Sequence, residues 1–133
     1  MIIQRVEQSE WLSNSYLVSE GGTGVLIDGN GVIEPLLERV DREGIELTHV
    51  LLTHDHWDHV VDLREVADRY GVPILASQKT ADLVDFKVDE IVEDGDETVS
   101  GDLTVKWIAT PGHADGHMAL LIDDTDVITA DVL

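Results

Sequence analysis

The sequence predicts an α/β fold in which sheets pack face to face with helices outside. Three observations carry this. Short apolar runs punctuated by glycine turns open the chain. Two stretches with helical apolar spacing then alternate with strand-like runs, and strand-like runs close it. With 133 residues, 43% of them hydrophobic, the chain can bury a real core. No repeat, low-complexity tract or linker divides it, so the expectation is one domain over residues 1–133.

Taken in order, Ile2 to Val6 and Ser15 to Val18 read as strands, with Gly21-Gly22 as a turn. Val25-Leu26-Ile27 is a third apolar run, ending at Asp28-Gly29-Asn30-Gly31. The period then changes. Ile33, Leu36, Leu37 and Val40 fall on one stripe of a helix, with Pro35 suited to its first turn and Gly44 to its stop. Thr48 to Thr53 is a buried strand by its apolar run and β-branched ends. A second helix, starting near Val60, is marked by Leu63, Val66, Ala67 and Tyr70 and closed by Gly71, with Pro73 beyond. Pro73 to Ala76 is a strand, and Thr80 to Val84 a short helix. Leu103, Val105 and Trp107 alternate with Thr104 and Lys106 as a half-buried strand. Met118 to Ile122 and Val127 to Ala130 complete the set.

Composition narrows the function. Without cysteine there is no disulfide framework, no zinc ribbon and no thiol nucleophile. No signal-like segment opens the chain and no apolar run is long enough to span a membrane, so the expected setting is cytoplasmic. Acidic residues outnumber basic ones 28 to 8, a net charge of −20. A field of that sign repels phosphate backbones and anionic lipid surfaces, which excludes nucleic acid and membrane as partners and leaves a small-molecule substrate. A solvated acidic surface is the plain reading of this charge. Adaptation to high salt is the sharper one, and the confinement of lysine to Lys79, Lys87 and Lys106 fits it.

The chemistry concentrates in Thr53-His54-Asp55-His56-Trp57-Asp58-His59. In an extended segment, residues two apart project to the same side, so His54 and His56 can grip one ion together. Asp58 and His59 follow where the chain turns into the helix and approach the same region from another angle. Imidazole and carboxylate are the donors that zinc, iron and manganese accept without thiolate. A lone histidine is more often a surface or core residue than a ligand. Three histidines and Asp58 crowded into residues 54–59 would instead cost stability unless a cation satisfied them.

A second constellation, Thr110-Pro111-Gly112-His113-Ala114-Asp115-Gly116-His117, lies in a loop between strands. His113 can supply a third nitrogen to the ion held by His54 and His56, a donor set that leaves the metal charge free to polarise water. Asp131, in Thr129-Ala130-Asp131, ends an apolar strand and can present a carboxylate at a sheet edge. His49 precedes the motif strand and reads as structural.

Together these pieces resemble the metallo-β-lactamase superfamily from end to end. Thr53 to His59 matches its HxHxDH motif in full. Asp94-Gly95-Asp96 before Leu103 to Ala109 resembles the approach to its Thr-Pro-Gly-His loop, and Thr129-Ala130-Asp131 resembles its bridging aspartate. The resemblance implies an αββα four-layer sandwich and a hydrolase that uses a metal-bound hydroxide on one or two Zn2+, with Fe or Mn also suited to the donors. It implies that His54, His56 and His113 hold a first metal, that Asp58 and His59 hold a second, and that Asp131 bridges them. Asp58 would orient the hydroxide as the catalytic carboxylate, and His117 would support the ligands without binding metal. Trp57, and His117 four residues after His113, resemble the hydroxyacylglutathione hydrolases of the glyoxalase II type, which implies a thioester or related ester substrate.

The sequence departs from that family where it stops, at Val132-Leu133, just after Asp131. The resembled family continues and supplies a last histidine to the second metal. The chain therefore reads as the N-terminal portion of the fold, C-terminally incomplete. A weak second metal site and an exposed apolar face that drives homo-oligomerisation are expected. Two other functions stay open: a mononuclear iron oxidoreductase acting on persulfides, and a non-catalytic metal-binding fragment. The flavodiiron branch carries a glutamate at the position of His56, and a nuclease is disfavoured by the charge.

Overall fold

The structure, a computed structural model, describes residues 1–10, 13–55, 60–110 and 117–128. Two sheets organise it. The first has six strands in sequence order: β1 (Ile2–Gln8), β2 (Ser13–Glu20), β3 (Thr23–Ile27), β4 (Glu46–Leu51), β5 (Ile74–Ser77) and β6 (Glu90–Val92). β1, β2 and β3 are antiparallel neighbours, whereas β3 to β6 run parallel. The second sheet is antiparallel, in the order β10-β9-β8-β7, from β7 (Glu97–Ser100), β8 (Leu103–Ala109), β9 (Met118–Ile122) and β10 (Asp126–Ile128).

The parallel strands require crossovers, and the amphipathic helices supply them. α1 (Glu34–Glu43) carries Pro35 in its first turn, buries Leu36, Leu37 and Val40, and stops at Gly44 in the left-handed conformation, φ 64°. α2 (Leu63–Tyr70) buries Leu63, Val66 and Ala67 and stops in the same way at Gly71. α3 (Gln78–Leu83) begins two residues ahead of its sequence-based expectation because the Ser77 hydroxyl accepts a hydrogen bond from the Thr80 N–H and caps it.

Two clusters of buried side chains define three layers among the described residues. Leu17, Leu26, Val50 and Leu52 meet α1 and α2 on one face of the first sheet. Val18, Val25, Ile27 and Leu51 meet Leu103, Val105, Trp107, Leu120 and Ile122 between the sheets. Trp107 is fully buried there, and its indole N–H donates to Thr98 Oγ1 at 2.9 Å, so its polar edge is satisfied. On the opposite face of the second sheet, Val99 and Val127 are exposed. The α/β class and the face-to-face sheets agree with expectation, and α1 and α2 lie on one side of the sandwich. No described helix is long and apolar enough to cross a membrane.

Candidate metal centre

In a sheet with parallel strands, ligands collect at the carboxyl ends, where loops leave for the crossovers. Here β3 delivers Asp28 and β4 delivers Thr53 and His54 to that edge. The second sheet brings the end of β8 and the start of β9 to the same place. The Met118 N–H, at the start of β9, donates to the Thr53 carbonyl at 2.9 Å. The Thr110 N–H donates to the His117 carbonyl at 3.0 Å and closes the base of the 110–117 loop. β10 runs antiparallel to β9 and pairs Ile128 with Leu120, so the chain leaves β10 near the start of β9. The segments that enter all three sequence constellations therefore depart from one edge.

The first constellation is clamped at both ends by the turn after β3. At its start, Asp28 takes two hydrogen bonds from Thr53, one from the N–H at 2.8 Å and one from the hydroxyl at 2.7 Å. Past its end, the Val61 N–H donates to the Gly29 carbonyl at 3.0 Å, and Gly29 forms a parallel bridge with Val60. That bridge delays the second helix to Leu63 from the expected start near Val60. Glycine is required at position 29, because a Cβ there would collide with the Val61 carbonyl and the Leu63 side chain. Asp28 itself is buried with φ 60°, a conformation uncommon outside glycine and sustained only where surrounding contacts enforce it.

His54 is fully buried, and its Nδ1 lies 2.9 Å from Thr53 Oγ1. His117, also buried, has its Nδ1 2.6 Å from Thr110 Oγ1. The two rings sit with centroids 4.8 Å apart, tilted by 39°. An imidazole from each of two constellations thus meets at the inter-sheet edge, each oriented by the hydroxyl of a threonine. Imidazole nitrogen is a donor that zinc and iron accept, so the residue types gathered at this edge fit such a metal.

Of the sequence-predicted site residues, His54 is placed at this edge. His56, Asp58, His59, His113 and Asp131 lie outside the described residues, as does Trp57. Among the described residues, no group of three or more metal-ligating side chains gathers. His49 lies within β4 beside Thr48, whose hydroxyl is 2.8 Å from its Nδ1. Burial holds its pKa below the ordinary 6.5, with the charge of Glu90 pulling the other way. Asp28 and Thr53 lock the start of the first constellation together, a contact that the sequence alone does not announce. The clue available was an aspartate, rather than the glycines beside it, ending an apolar strand.

A mixed α/β sandwich with histidine-bearing loops at the carboxyl edge of its parallel strands defines a class of metal-centred proteins, and comparison with known proteins is specific. The family model described as the metallo-beta-lactamase superfamily matches residues 9–133, and the chain belongs to that superfamily. It is 37% identical over 100 residues to a hydroxyacylglutathione hydrolase of Rhizobium etli, an alignment covering 74% of this chain and 39% of that protein. It is 40% identical over 114 residues to the human hydroxyacylglutathione hydrolase-like protein, covering 84% of this chain and 38% of that one. The crystal structure of ETHE1 from Myxococcus xanthus superposes with a TM-score of 0.81 at 30% identity, covering 93% of this chain and 55% of that one. The chain thus spans less than half the length of the curated relatives it matches.

Proposed function

We propose that this chain carries the metal-binding centre of a hydrolase that cleaves a thioester or related ester, of the kind its hydroxyacylglutathione hydrolase relatives are named for. The observation that carries the reading is the meeting of His54 and His117, their centroids 4.8 Å apart, where both histidine-bearing loops leave the sandwich. His54 with His56 and His113 would hold a first metal ion, Asp58 and His59 a second, and Asp131 would bridge them. When bound, such an ion supplies a Lewis acid that activates water and polarises an acyl carbonyl. The chain's own groups do the rest. The Asp28–Thr53 contact fixes where the 54–59 segment starts, and Gly29 with Val60 fixes where it ends. Asp58 would accept a hydrogen bond from the attacking water and hold it towards the carbonyl. A thiolate leaving group needs little protonation, so no general acid is required.

The test is hydrolysis of a hydroxyacylglutathione by protein stripped with a chelator and reloaded with Zn2+. Activity that returns with zinc and is lost by at least about a hundredfold in His56→Ala supports the reading. Metal binding without hydrolysis of any thioester, ester or lactone would leave a metal-binding module instead. The nitrogen and oxygen donors, in a chain without cysteine, equally suit a single iron. Oxygen uptake with a persulfide by iron-loaded protein, without thioester cleavage, would favour that oxidoreductase.

A further inference from the structure

The contacts behind His54 form a directional chain. A carboxylate only accepts hydrogen bonds, and a threonine hydroxyl has one proton to give. Thr53 gives its proton to Asp28 Oδ2 at 2.7 Å, and Asp28 Oδ1 is fixed by the Thr53 N–H at 2.8 Å. The Thr53 oxygen, 2.9 Å from His54 Nδ1, is then left as an acceptor on that side. His54 must carry its proton on Nδ1, which makes Nε2 the ligating nitrogen. We infer that Asp28 and Thr53 form a relay that sets the tautomer and ring orientation of His54, and so act as positioning residues for metal uptake. The inference rests on the metal reading above, but the tautomer can be read without any metal.

The geometry supports selection over mere packing. Asp28 is buried and left-handed at φ 60°, and each of its carboxylate oxygens accepts a hydrogen bond from Thr53. A residue needed only to end β3 could be any turn-former. His117 shows the same Nδ1-to-threonine contact through Thr110, whose hydroxyl faces the His117 carbonyl at 3.4 Å rather than a carboxylate. The carboxylate-backed version falls on the histidine expected to bind metal.

Asp28→Asn is the discriminating variant because it keeps shape and reverses direction. With its oxygen still on the Thr53 N–H, the amide nitrogen donates to Thr53 Oγ1. The hydroxyl then turns its proton on His54 Nδ1, forcing the proton of the ring onto Nε2. Thr53→Val breaks the relay, and Thr53→Ser restores it. Long-range proton–nitrogen correlations on metal-free, histidine-labelled protein report the tautomer, and competition with a chromophoric chelator reports zinc affinity. His54 should be Nδ1-protonated in the parent chain and in Thr53→Ser, and Nε2-protonated in Asp28→Asn. Zinc affinity should fall about 10- to 100-fold in Asp28→Asn and Thr53→Val and stay near the parent in Thr53→Ser. Should Asp28→Asn not fold, the contrast between Val and Ser at position 53 decides alone. Unchanged affinity in Thr53→Val, or an Nδ1-protonated His54 in folded Asp28→Asn, overturns the relay. A parent chain that takes up no zinc overturns the metal reading, while the tautomers still decide the relay.

Discussion

At the scale of single residues, burying a titratable ring has a consequence for stability. His49 is half-buried in β4, and burial depresses its pKa against the pull of Glu90. The folded chain therefore takes up that proton less readily than the unfolded chain. Above the ordinary value of 6.5 both states hold a neutral ring and nothing is lost. As pH falls from there through the lowered folded value, the unfolded state gains protons first, and stability drops. Urea unfolding at pH 7.5 and 5.5 should show a loss on acidification that is smaller in His49→Gln. Metal-free protein is the right sample, since ligand histidines would otherwise titrate against the ion. An equal loss in both proteins would mean the ring at position 49 is not the responsible group.

At the scale of elements, the turn after β3 is the joint on which the candidate centre hangs. Gly29 lets that turn approach Val61 closely, and the Gly29–Val60 bridge holds the exit of the histidine segment. Gly29→Ala must push those backbones apart, an overpacking cost of about 1–3 kcal/mol. Its denaturation midpoint should fall accordingly, and zinc uptake should weaken with it; a midpoint equal to the parent's would refute the close approach. Nothing in the local sequence announces this contact, because it joins residues far apart in the chain. The same distinction separates what the sequence disclosed from what it hid. Leu36, Leu37 and Val40 announce α1 because a helix writes its period locally, and Gly44 marks its stop. β6 and β7 carry no such local signal. β6 is three residues long with two exposed, and β7, Glu-Thr-Val-Ser, exposes its valine and buries its threonine and serine, against the usual pattern. They exist because neighbouring strands recruit them, which is a tertiary effect. In the site, His54 is legible because histidines and acidic residues cluster around it in sequence. Thr53 shows in the sequence as the strand end that opens the histidine motif and Asp28 as the end of an apolar strand, and their partnership stays hidden because it spans a whole crossover.

At the scale of the molecule, charge sets the terms. A net charge of −20 on 133 residues means that the basic side chains, even if all paired, leave most carboxylates uncompensated. Arg39, Arg64 and Arg69 already spend themselves on Glu43, Asp68, Asp89 and Asp41. Folding gathers the remaining negative charges onto a small surface, so they repel more in the native state than in the expanded one. Simple salt screens that repulsion, with a Debye length near 10 Å at 0.1 M and about 3 Å at 1 M. The melting temperature of metal-free protein should therefore rise by several degrees between low salt and about 0.5 M NaCl, then level off as screening saturates. Charge reversal separates this cause from a general salting-out of apolar surface, which would continue to climb with concentration. Glu38 and Glu97 are exposed, and Glu38→Lys with Glu97→Lys removes four units of negative charge without touching the candidate centre. The double variant should melt higher than the parent at low salt and converge with it at high salt. If the two curves ran parallel across the whole salt range, repulsion among the acidic side chains would not be what limits the stability of this fold.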